Sequence, residues 1–94
     1  MTEQKFVNVM EELEGAYPRQ IILTEKMLNV WYEYLRKFDG DIFEAITDEY
    51  IVTNPKPPTI ADLYKAASTR QKYRDDGYEV VTDGVKIRES AQVE

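Results

Sequence analysis

The run Asn54-Pro55-Lys56-Pro57-Pro58-Thr59-Ile60-Ala61-Asp62-Leu63 constrains this chain more than any other ten residues. Pro57 and Pro58 each fix φ near −65° and remove a backbone donor. Each also drives the residue before it out of the α region, so a preceding helix must end near Thr53 or Asn54. Thr59 then stands where an N-cap belongs. Its hydroxyl is placed to accept from the N–H of Ala61 or Asp62, and Asp62 falls in the first turn, where the helix dipole favours negative charge. Two helices joined this way have little freedom in their mutual angle.

The rest of the chain supplies the helices. Phe6, Val9, Met10 and Leu13 recur at i, i+3, i+4 and i+7 and predict a first helix over residues 2–14, with Thr2 as cap and Gly15 as left-handed stop. Residues 17–23 read as a connector whose Ile21, Ile22 and Leu23 pack back on the core. Thr24 caps a second helix over 25–38, with Met27 or Leu28, Trp31, Leu35 and Phe38 as its apolar stripe and Trp31 in the core. Tyr32 and Tyr34 flank that stripe and cannot both be buried by one face. Asp39-Gly40 reads as a stop. Asp41 then caps a third helix over 42–53, lined by Ile42, Ala45, Ile46 and Tyr50 with Phe43 at the margin. The fourth helix begins at Ile60, places Leu63, Tyr64 and Ala67 inward, and extends as far as Arg74.

After Gly77 the pattern changes. Asp83-Gly84 separates two short β-branched runs, the form of a two-residue hairpin. An isolated hairpin is marginal in water. The expected fold class is therefore all-α: a compact four-helix domain over residues 1–74 and a short C-terminal extension over 75–94, either a β-hairpin or disordered.

Composition removes several functions. The 94 residues contain no Cys and no His, so thiolate or imidazole catalysis and the commonest metal ligands are unavailable. No phosphate-cradling glycine motif or calcium-loop spacing is present. The carboxylate pairs, Asp39 with Asp41, Asp48 with Glu49 and Asp75 with Asp76, fit caps, turns and solvated surface. The reading is no enzyme, no catalytic residue, no metal and no cofactor. No apolar run is long enough to span a bilayer and the first residues have no signal-peptide form, so no membrane contact is expected and the plain expectation is a soluble cytoplasmic protein.

Charge is unevenly placed. The net −6 resides in residues 1–54, with 11 acidic against 5 basic residues, whereas residues 55–94 hold 7 of each. Lys56, Lys65, Arg70, Lys72 and Arg74 face a single acid, Asp62, between residues 56 and 74. An acidic body with a basic fourth segment points to a protein partner and away from duplex DNA. Arg70, Lys72 and Arg74 interleaved with tyrosines leave a single-strand-binding module as an alternative. A domain that only dimerises is another.

Three features together resemble a known family, the small phage proteins that load and inhibit the replicative helicase. They are Trp31-x-x-x-Leu35 in the second helix, the aromatic third helix with Tyr50 near its end, and Pro57-Pro58-Thr59-Ile60-Ala61-Asp62-Leu63. The resemblance covers residues 24–63 well and 2–23 loosely. It implies a helical N-terminal domain, a mobile C-terminal segment and a non-enzymatic adaptor for a replicative helicase in the bacterial host cytoplasm, with an origin-binding replication protein as a further partner. The matching residues read as fold-making. Inhibition of the host's helicase-loader ATPase is the nearest alternative. From charge, from tyrosines beyond the last core position and from the place of the family's helicase-contacting tail, the expected partner contact is Lys65, Arg70, Lys72, Tyr73, Arg74, Tyr78, Val80 and Ile87.

Overall fold

The computed structural model describes residues 1–75, which fold into four helices: α1 (Glu3–Ala16), α2 (Glu25–Leu35), α3 (Gly40–Thr53) and α4 (Ile60–Asp75). The expected hairpin, with Tyr78, Val80 and Ile87, lies outside the described residues. α1 packs on α2 and α3, and α4 packs on α3 and α2, so the helices close a ring of neighbours around one core.

Phe6, Val9, Met10 and Leu13 enter that core from α1, Ile42, Phe43 and Ile46 from α3, and Leu63 and Ala67 from α4. Leu35 ends α2 inside it, followed by Phe38. Phe6 joins three elements, with ring centroids 5.1 Å from Tyr32 and 5.9 Å from Phe43. Tyr17 closes the far end, donating its hydroxyl to the Asn54 carbonyl at 2.8 Å.

Three expected caps hold: Thr2, Thr24 and Thr59 accept from Lys5, Met27 and Asp62 N–H at 3.1, 3.1 and 3.2 Å. The other boundaries shift. Gly15 does not stop α1. The helix runs through it to Ala16, and the left-handed residue is Arg19, at φ 69°. α2 ends at Leu35, three residues before the expected Phe38, which still reaches the core from the following turn. α3 starts before the expected cap: Asp39 is the N-cap and accepts from Asp41 N–H at 2.9 Å. Gly40 suits this tight entry, because a Cβ there would stand 2.9 Å from Lys5 Cγ.

The third helix is also rotated from its expected face. Phe43 is fully buried and Ala45 is exposed. Thr47 is fully buried too, and its hydroxyl has no hydrogen-bond partner among the described residues. Trp31 is half-buried at the margin of the core, and Ile60 is half-buried without joining it. Ile21 and Leu23 pack inward while Ile22 between them points to solvent, the alternation of an extended segment.

Candidate partner-binding surface on the fourth helix

The proline connector delivers α4 at a fixed place. Asn54 ends α3, its side-chain amide donating to the Tyr50 carbonyl at 3.2 Å. Pro58 is buried. Thr59 and Asp62 then form a reciprocal capping pair: the Thr59 hydroxyl takes the Asp62 N–H, and the Asp62 carboxylate takes the Thr59 N–H at 3.0 Å. Leu63 and Ala67 seat the helix on the core.

Its second half is fastened by side chains. Arg70 pairs with Glu49 of α3 at 3.0 Å. Gln71 accepts from the Asp39 N–H at 3.3 Å, and Arg74 lies 3.4 Å from the Asp39 carboxylate. The backbone donor Asp41 and the Arg74 guanidinium hold the Asp39 carboxyl below the usual aspartate range against the opposing effect of burial. On the α2 side, Lys37 donates to the Tyr64 hydroxyl, with its ammonium 4.7 Å from the Tyr64 ring centre.

These anchors sort the expected contact residues. Lys65, Arg70 and Tyr73 come together with Ile46 and Tyr50 along an open groove of about 520 Å³ between α3 and α4. Lys72 is exposed outside the groove's lining, and Arg74 is turned to the α2–α3 corner. The bases of α4 therefore do not form one basic strip: Arg70 and Arg74 are each held by a carboxylate 21 and 35 residues away in sequence. This weakens the footing of a single-strand-binding reading, which needs those guanidinium groups along a phosphate track.

Two further surfaces lie outside the expected contact residues, and one of them carries Tyr34, which with Tyr32 is expected to exceed what one face can bury. α2 buries only Leu35 fully, while Val30 and Tyr34 are 43% and 55% exposed on its outer side. The signal was present in Met27-Leu28-Asn29-Val30-Trp31-Tyr32, an apolar pattern wider than one helical face. Across α1 and α3, Glu12 meets Asp48, with Glu44 nearby. A hydrogen bond to Asp48, burial and the adjacent negative charge push the Glu12 carboxyl up to about 6. Among the described residues, no group of three potential ligands is arranged to hold a metal ion, and no helix is long and apolar enough to cross a membrane.

Compared with known proteins, residues 1–64 match the family described as G39p, N-terminal domain. The chain belongs to this family of phage helicase loaders and inhibitors. The match spans α1, α2, α3 and the first turn of α4, including the Pro57-Pro58-Thr59 joint. It thus takes in residues 2–23, whose own motifs resemble the family only loosely. The family match ends before Lys65, so the helical wall carrying Lys65, Arg70 and Tyr73 lies beyond it. No curated protein and no solved structure matches the chain.

Proposed function

We propose that this chain is a non-enzymatic adaptor of phage DNA replication. It binds the host's replicative helicase in the cytoplasm and restrains its ATP hydrolysis and unwinding until delivery at the origin. The observation that carries this reading is the family match over residues 1–64, because it covers three whole helices and the capped joint that positions the fourth. The helical domain serves as a rigid platform: its caps and cross-helix pairs fix α4, and residues 76–94 follow it in sequence. The helicase contact is assigned to α4 together with residues 76–94, with Tyr73, Tyr78, Val80 and Ile87 as apolar anchors and Lys65, Arg70, Lys72 and Arg74 around them. An origin-binding replication protein is the further partner. Ordering a segment at an interface costs about 1–2 kcal/mol per fixed residue before contacts offset it, so charge alone does not suffice.

The acidic α1–α3 face supports one second reading. Glu12 and Asp48, beside a Glu44 that Lys5 pairs at 2.7 Å, gather negative charge that would suit the basic DNA-binding face of a helicase-loader ATPase. An ATPase assay separates the two. The chain alone should hydrolyse no ATP, and adding it to purified replicative helicase should lower the helicase's turnover. Inhibition confined to mixtures containing the host loader would select the second reading. Hydrolysis that stays with the chain through repeated purification would end the adaptor account.

A further inference from the structure

The groove between α3 and α4 contains a charge that no described residue neutralises. Glu49 in its wall is neutralised by Arg70 at 3.0 Å. Asp62 is occupied by the Thr59 N–H at 3.0 Å and sits at the positive end of α4. Lys65, the remaining charged group of the lining, is exposed and forms no ion pair among the described residues. Lys72 is likewise exposed and unpaired there. It follows Lys65 by seven residues, so the two lysines start from one side of α4, their backbone positions about 10.5 Å apart along its axis. Ala66, Tyr73 and the half-buried Tyr50 supply an apolar floor beside them.

We infer that this groove docks an acidic amphipathic helix of a partner protein, with apolar side chains on Tyr50, Ala66 and Tyr73 and two carboxylates seven residues apart meeting Lys65 and Lys72. A seven-residue spacing returns to the same side of a partner helix, so a helix laid along α4 meets both lysines while its intervening i+3 and i+4 positions face the floor. A phosphate backbone fits less well. Arg70 is held by Glu49 and Arg74 by Asp39, so the cations left along α4 are two separate ammonium groups and no continuous track for a phosphate strand. The inference rests on the adaptor reading for the existence of a partner, and it adds the chemistry by which the helical domain itself takes part.

The test uses the full chain, isotope-labelled for backbone amide spectra, and two stapled helical peptides. One has Leu at i+3 and i+4 with Glu at i and i+7; the other has Lys in place of both Glu. The acidic peptide should shift the amides of Lys65, Ala66, Thr69 and Tyr73 saturably, and the basic peptide should bind at least about fivefold more weakly. The double variant Lys65→Glu, Lys72→Glu, checked for unchanged helicity, should invert that preference. Absence of saturable shifts, equal binding of both peptides, or shifts on another face would overturn the inference. So would the same shifts on raising the protein concentration alone, since the occupant would then be a second copy. No helicase is present, so failure here is distinct from failure of the helicase assignment.

Discussion

Replacing Thr47 with valine should stabilise the domain. Thr47 is 0% exposed on α3, and its hydroxyl has no hydrogen-bond partner among the described residues. A buried polar group left without a partner costs about 1–3 kcal/mol. Thr and Val are similar in shape, both are β-branched and both have similar helix propensities, so the exchange adds little strain and no propensity penalty. The expected gain is about 1 kcal/mol, toward the low end because a hydroxyl in a helix can turn to a carbonyl of the preceding turn during thermal motion. For a domain of this size, about 1 kcal/mol corresponds to a rise in Tm of about 4–8 °C. Thermal melts followed by far-UV circular dichroism would measure it. Thr47→Ser is the control: it keeps the hydroxyl, removes a methyl group and should lose about 1 kcal/mol. A valine variant that melts below the parent protein would refute the reasoning, because the hydroxyl would then be engaged in solution.

Phe43→Ala should cost about 3–5 kcal/mol, since the ring is fully buried and stacked on Phe6, which would remove most of the stability of a domain near the low end of about 5 kcal/mol and lower its Tm sharply. Trp31→Ala should cost about 2 kcal/mol, because Trp31 is only half-buried, and a melt ranking the two variants in the reverse order would contradict the packing. The Glu12 carboxyl, raised to about 6 from 4.5, binds its proton more tightly in the folded state. Its contribution is full below pH 4.5 and is lost as pH rises through about 6, so Tm should fall slightly over that window and Glu12→Gln should flatten the profile. Asp39 acts oppositely, its stabilisation fading only as pH falls below its ordinary value of 3.8, which leaves the Glu12 window clear.

Much of this fold was legible because its signals are local. Thr2, Thr24 and Thr59 sit where caps belong, and the α1 stripe Phe6, Val9, Met10, Leu13 is buried as a whole. The errors arose where tertiary contacts decide. Asp39-Gly40 reads as a terminator, yet it begins α3: the Asp39 carboxylate caps the helix by accepting from Asp41 N–H, and Lys5 of α1 leaves room only for a glycine at position 40. Phe43 and Thr47 are buried, and Ala45 is not, because α1 and α4 together fix the rotation of α3. The surface was half legible. Lys65, Arg70 and Tyr73 do share a groove, but the pairing of Arg70 with Glu49 and of Arg74 with Asp39 joins distant residues that no spacing rule connects. The outward Val30 and Tyr34 show how an apolar helix can be only partly used by its own core.

Sedimentation velocity of the full chain mixed with the purified replicative helicase of its host tests the helicase assignment most directly. The account predicts that the chain leaves the slow boundary and travels with the helicase, saturably. It also predicts that residues 1–75 alone remain helical but travel with it far less. Independent sedimentation of the full chain and the helicase, with the chain folded and both at micromolar concentration or above, would contradict the account.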